Sequence, residues 1–191
     1  MKKILIILGA ILGVILLVVV IVAMSVTGRY NGFVTTNEQI DANWAQVQTV
    51  LQRRADLIPN LVSTVSGFAE QEKEIFLEVA NARSRLMGAS SPAQAAAANA
   101  GLSLGLGRLL AISEAYPELK SNENFIRLQD ELAGSENRIA VERRRYNVAV
   151  QEYNTDVRQV PNNLIAGMFG FGDREYFEAE EGAQELPVVE F

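Results

Sequence analysis

The chain contains no cysteine and no histidine, and these two absences remove most recognisable chemistry. Without histidine there is no imidazole base, no Ser-His-Asp arrangement and no source of the commonest zinc ligand. Without cysteine there is no thiolate nucleophile, no disulfide framework and no thioether-linked lipid anchor. No GxxxxGK[ST], GxGxxG or EF-hand pattern occurs, and the glycine-rich patch Gly101, Gly105, Gly107 matches no phosphate cradle in its spacing. Catalysis would be left to carboxylates, lysine, serine or tyrosine, and none of these falls into a recognisable constellation. The expected reading is a protein that is not an enzyme, with no cofactor and no metal; a carboxylate-based hydrolase is the remote alternative. Cations are in the minority, 17 Lys and Arg against 23 Asp and Glu for a net charge of −6. Nucleic acid is therefore not an expected partner, since phosphate binding needs a clustered cationic surface.

What the chain does have is a membrane-length apolar run. After Lys2 and Lys3, the stretch from Ile4 to Met24 carries no charge. As a helix, Ile4 to Val26 would extend roughly 34 Å at about 1.5 Å per residue, enough for a hydrocarbon core of about 30 Å. The two lysines precede the span, whereas Thr27 to Gln39 holds one cation, Arg29. The positive-inside rule then predicts a cytoplasmic N-terminus and everything after residue 27 outside, which in a bacterial inner membrane means periplasmic or extracellular. A cleaved signal peptide ending near Ala23-Met24-Ser25 is the counter-reading, disfavoured because the run exceeds the usual 7 to 15 residue core. Gly9 and Gly13 form a small-xxx-small pair that is a candidate for helix pairing within the bilayer.

The rest reads as all-α. Residues 29–172 are expected to form one long antiparallel helical bundle of three to four helices, with 1–28 as cytoplasmic terminus and anchor and 173–191 as an acidic tail. A linker is predicted over Thr27 to Thr35, with Thr36 or Asn37 capping a helix whose apolar residues recur at spacings of three and four from Ile40 through Trp44, Val47, Leu51, Ala55, Ile58, Val62 and Val65 to Leu86. Pro59 predicts a kink or break around Leu57 to Asn60. Ser90-Ser91-Pro92 opens a second helix, in which the three glycines imply close packing. Pro117 ends it. Ser121 or Asn122 caps a third, striped by Phe125, Leu128, Leu132, Ile139, Tyr146, Val150, Tyr153, Val157 and Val160, and Pro161 stops that one. In a simple up-down-up bundle the part of the first helix nearest the membrane would lack a partner. Either the chain folds back at Pro59, or that seam meets another subunit.

Several strings carry a resemblance: Tyr30-Asn31, ADLIPNLVSTVSGFAEQEKE from Ala55, GRLLAISEAYPELKSNENF from Gly107, ENRIAVERRRYNVAVQEYN from Glu136 and PNNLIAGMFGF from Pro161. In combination they are similar to the LemA family of bacterial membrane-anchored proteins. The resemblance implies an all-helical domain on one transmembrane anchor, without established enzymatic activity. It also implies a place beside membrane-integrated metallopeptidases and envelope quality-control proteins.

Three sets of residues stand out as candidate sites. Asn43, Asn60, Asn147 and Asn154 lie on or beside the apolar stripes, where buried amides need hydrogen-bond partners and can set helix register. Glu142 joins this candidate polar network, with Arg53 and Arg54 facing it from another helix in antiparallel packing; a solvated charged face is the plainer alternative. The uncharged segment from Asn162 to Phe171, with Leu164, Ile165, Phe169 and Phe171, is either a cap over the bundle end or a surface for lipid or protein. The terminal Val189-Glu190-Phe191 has the alternating apolar pattern that a PDZ-type groove reads, though a docked or disordered tail serves as well. The predicted function is protein–protein interaction in the bacterial envelope, as adaptor or partner of membrane proteases. The alternative is a self-assembling homo-oligomeric scaffold. The bilayer, further copies of the chain and a metallopeptidase or PDZ-containing envelope protein are the expected partners.

Overall fold

The computed structural model describes residues 2–178, with the backbone alone for residues 2–6. Its described residues form six helices and no strand: α1 (Lys2–Ser66), α2 (Lys73–Met87), α3 (Pro92–Ala115), α4 (Pro117–Lys120), α5 (Glu123–Arg158) and α6 (Asn162–Phe169). The all-α expectation holds. Two compact units share these helices. The first takes the described residues up to Ile40 with Gln151–Arg174, and the second takes Asp41–Val150 with the described residues from Glu175.

The long first helix departs from expectation in three places, each with a local cause. The predicted linker at Thr27 to Thr35 is helical throughout. Thr27, Thr35 and Thr36 turn their hydroxyls back onto the carbonyls four residues earlier, at 2.9 Å each, and so cap nothing. Pro59 does not break the helix either. A proline at 59 leaves the Ala55 carbonyl without its intrahelical donor, and Arg83 of α2 supplies one, its Nε donating to that oxygen at 2.8 Å. The break falls instead at residues 67–72. There the Phe68 and Ala69 amides both turn back to the Val65 carbonyl, and Ala69 is buried.

This replacement donor is testable. Arg83→Met should destabilise the protein by about 1–2 kcal/mol, the cost of an orphaned buried carbonyl. The loss should shrink in the Pro59→Ala background, where residue 59 regains an N–H for Ala55. A double-mutant cycle by urea denaturation in detergent measures that coupling; strictly additive losses would contradict the account.

Within the second unit, α2 and α3 make an antiparallel hairpin: Val79 lies against Gly105, while Glu78 pairs with Arg108 at 2.9 Å. A Cβ on Gly105 would sit 3.3 Å from Val79 Cγ2, whereas Gly107 has open space around it. A Cβ on Gly101 would meet only the Arg85 Nη2, at 4.0 Å, so of the three glycines Gly105 alone serves the close packing expected of the patch. Gly105→Leu should cost about 1–3 kcal/mol by overpacking, and Gly107→Leu far less, as a pair of thermal melts would show. The remaining contacts complete an up-down-up-down bundle of α1, α2, α3 and α5. Arg54 of α1 meets Glu136 of α5, and Trp44, ten residues back, meets Tyr146, ten residues forward. Leu51, Ile58, Leu61, Val65, Val79, Leu86, Leu102, Leu109, Phe125, Leu132, Ile139 and Val150 fill its core.

In the first unit α1 and α5 again run antiparallel, with the rings of Phe33 and Tyr153 6.4 Å apart edge to face. Phe33 and Ile40 are fully buried. The seam of the first helix beyond the membrane-length run is thus covered by the C-terminal part of α5 and the chain that follows it. Neither a fold-back at Pro59 nor a second subunit is needed to cover it.

Candidate interaction sites

Two arrangements of polar side chains dominate the structure. The first is a buried layer around Arg54, in the second unit. Arg54 occupies the apolar register of α1, between Leu51, Ala55 and Ile58, and is only 5% exposed. Its Nη1 donates to Asn99 Oδ1 and to Glu136 Oε2, both at 2.6 Å, and its Nη2 donates to Ser103 Oγ at 3.0 Å. Burial pulls the guanidinium below its ordinary pKa, and the Glu136 carboxylate opposes that pull. The layer ties α1 to α3 and α5 at a single level. Its guanidinium is buried, with Nε lacking a hydrogen-bond partner among the described residues, while the Glu136 carboxylate end is half exposed; a buried polar group of this kind can set helix register.

The second arrangement holds the chain after α6. Residues 171–178 form neither helix nor strand, so their backbone groups need donors and acceptors from side chains. Asparagines of α5 supply them. In the first unit, Asn154 Oδ1 accepts from the Arg174 amide at 2.8 Å while Nδ2 donates to the Arg174 carbonyl at 2.9 Å. In the second unit, Asn147 grips Phe177 in the same way, at 2.8 Å for both bonds, and the Tyr146 hydroxyl donates to the Glu175 carbonyl at 2.7 Å. An asparagine amide thereby takes the place of a neighbouring β-strand. The Phe177 ring, fully buried, lies 6.2 Å from Trp44. The Arg174 guanidinium donates to Asn37 Oδ1 at 3.0 Å, and Asp173 pairs with Arg158 at 2.7 Å. The hydrogen bond from Arg158 holds the Asp173 carboxyl below the usual range. A depressed carboxylate pKa contributes stability above the unfolded-state value and loses it as pH falls through the folded value, so this clasp loosens only in acid.

The sequence-derived candidates thus separate. Asn154 holds Arg174 and Asn147 holds Phe177, the two clasps of the strap that residues 171–178 form. Asn60 is exposed, Asn43 is half-buried, and Glu142 pairs with Arg145 one turn along α5 at 2.9 Å rather than with Arg53 or Arg54. The partner of Arg54 is Glu136. Leu164 and Phe169 are exposed on α6, and Ile165 is half-buried. Phe171 lies 5.3 Å from Phe33, and Phe169 is 5.0 Å from Tyr30, between ring centroids. Val189 and Phe191 lie outside the described residues. Gly9 and Gly13 are exposed, with open space where a Cβ would project. The helix from Ile7 onward is long and apolar enough to cross a membrane, and its most apolar window is wholly exposed.

Among known proteins, the LemA family model matches residues 43–191. The chain belongs to the LemA family. That match takes in the Arg54 layer and both asparagine clasps. Two relatives from Paramagnetospirillum magneticum, Magnetosome protein MamQ 1 and Magnetosome protein MamQ 2, are each 30% identical over 187 residues, covering 84% of this chain and 68% of theirs. Magnetosome protein MamQ of Magnetospirillum gryphiswaldense is 29% identical over the same coverage. This LemA-family chain accordingly combines a membrane-length N-terminal helix with an all-helical body. Among its described residues no three His, Cys, Asp or Glu side chains are grouped to hold a metal.

Proposed function

We propose that this LemA-family chain is a single-pass inner-membrane protein that works by binding proteins, including further copies of itself, and carries out no reaction. Its N-terminus lies in the cytoplasm and its helical body stands outside. The observation that carries this reading is the α2–α3 hairpin, which keeps Leu77 and Leu104 about two-thirds exposed on adjacent helices while the polar side chains with the most elaborate bonding are spent on holding the fold. Apolar side chains turned outward from two adjacent helices offer the kind of surface that a partner covers. The relatives' name, magnetosome protein, denotes a component of a cell structure rather than a reaction. Membrane metallopeptidases and PDZ-containing envelope proteins are the partners to test first. Self-assembly into a scaffold is the second reading, favoured by the open faces of Gly9 and Gly13.

The cysteine-free chain permits a direct experiment. Leu77→Cys and Leu104→Cys variants, cross-linked in native membranes, should give adducts heavier than one chain, and Leu77→Glu with Leu104→Glu should abolish partner retention after gentle extraction. Adducts of this chain alone, lost in Gly9→Leu/Gly13→Leu, would favour the scaffold. A mass of one chain throughout would overturn both.

A further inference from the structure

Helix α6 and the turn before it form an apolar face whose place in the first unit is set by contacts with α1. From Gln159 to Gly172 the chain carries no charge. Arg158 and Asp173, which flank this stretch, neutralise each other at 2.7 Å. Leu164 and Met168, one turn apart on α6, are 67% and 77% exposed, and Val160 in the preceding turn is also largely exposed. The opposite side of the helix is anchored: Ala166 is buried, Phe169 and Phe171 both meet Tyr30 edge to face, and Asn162 donates to Asp156 at 2.5 Å. Outward side chains on so firmly held a helix are displayed, not left over.

The level of this face along α1 identifies what covers it. The apolar run ends near Val26, and Tyr30 follows four residues later, roughly 6 Å further at about 1.5 Å per residue. The headgroup layer on each side of a bilayer is about 5–7.5 Å deep, given a core of about 30 Å within a total of about 40–45 Å. The Phe169 ring, 5.0 Å from Tyr30, therefore falls at headgroup depth once the span crosses. Tyrosine and phenylalanine at that level are suited to the interface, and an uncharged short helix bearing leucine and methionine is suited to shallow insertion.

We propose that α6 is an interfacial foot: Val160, Leu164 and Met168 insert into the lipid leaflet beside the anchor and fix how the C-terminal end of α5 meets the membrane. The proposal rests on the membrane-crossing reading of residues 4–26 and goes beyond it by assigning a second lipid contact far along the sequence.

Single-cysteine variants of the full chain, Leu164→Cys and Met168→Cys, can be nitroxide-labelled and reconstituted into phosphatidylethanolamine–phosphatidylglycerol vesicles. Leu17→Cys marks the span, and Val141→Cys, on an exposed part of α5 in the second unit, marks water. Power saturation should show a several-fold higher ratio of oxygen to nickel-chelate collisions at 164 and 168 than at 141, approaching that at 17. Ratios at 164 and 168 equal to that at 141, with 17 still lipid-exposed, would overturn the foot while leaving the anchor intact. Labels at 164 and 168 shielded from both reagents, with spin–spin broadening, would assign the face to a second copy and likewise overturn it. A water-like ratio at 17 would overturn anchor and foot together. Both substituted side chains are exposed, and an unchanged far-ultraviolet circular dichroism spectrum checks that the fold is kept.

Discussion

Arg54→Ala is expected to destabilise the helical body by about 3–5 kcal/mol, the cost of truncating a large buried side chain together with orphaning a buried polar group. Two losses combine. The side chain leaves a cavity in the core of the second unit, and Asn99 loses the donor that satisfies its buried oxygen. The partners should respond unequally. The Glu136 side chain is 52% exposed, so solvent screens it, and its carboxylate survives the loss of Arg54 at little cost. Glu136→Gln, in contrast, leaves a buried guanidinium with only neutral partners, for an expected loss of about 1–2 kcal/mol after discounting for that screening. The decisive variant is Arg54→Met with Asn99→Leu, which removes the charge and the amide together and fills the space. If the layer exists for register rather than stability, this double variant should melt within about 1 kcal/mol of the parent or above it. Its penalty should then appear as lost uniqueness of packing, read as broadened methyl resonances. A double variant as unstable as Arg54→Ala would show that the layer is a net stabiliser.

The sequence reading and the structure agree where apolar periodicity carried the signal. The stripe from Phe125 to Val157 is buried at each of its eight named positions, and Val160, the ninth, is exposed because α5 has already ended at Arg158. On α1 the spacing predicts Val62 in the core, whereas Leu61 takes that place and Val62 is half-buried. A one-residue slip of this kind is what 3.6-residue periodicity cannot resolve over a long helix. Arg54 and Asn99 were legible in principle, because each sits at a core position of its own stripe, 51-54-55-58 and 95-99-102. A charged or amide side chain in that register marks a polar layer. The asparagine clasps were half legible: Asn147 and Asn154 are two turns apart on one face of α5, but nothing local announces that residues 171–178 will lie against them. Pro59 misled because the compensating donor, Arg83, is 28 residues away from the carbonyl it satisfies. Local rules for helix ends are reliable only where no tertiary partner intervenes.

Removing both clasps, Asn147→Leu with Asn154→Leu, is expected to release residues 171–178 and to lower stability by about 2–5 kcal/mol. Each asparagine satisfies one backbone donor and one acceptor of a segment that has no ladder of its own, and an unpaired buried backbone group costs about 1–3 kcal/mol. The loss stays short of the full sum because the freed segment can leave the surface and hydrate. That escape distinguishes this variant from Arg54→Ala, whose orphaned groups are internal. The signature should be local before it is global: faster hydrogen exchange at the Arg174 and Phe177 amides and new proteolytic cleavage after Tyr176 or Phe177, at denaturant concentrations where α2 and α3 remain protected. Asn147→Asp sharpens the test. It keeps an oxygen for the Phe177 amide, yet it loses the donor and places a negative charge against the Phe177 carbonyl. The aspartate variant should therefore release the strap at neutral pH and recapture it when acid protonates the carboxyl, the opposite sense to the Arg158–Asp173 pair, which acid weakens. A strap equally well held in Asn147→Asp across the pH range would mean that burial of the Phe177 ring against Trp44, not the amide clasp, fixes the segment.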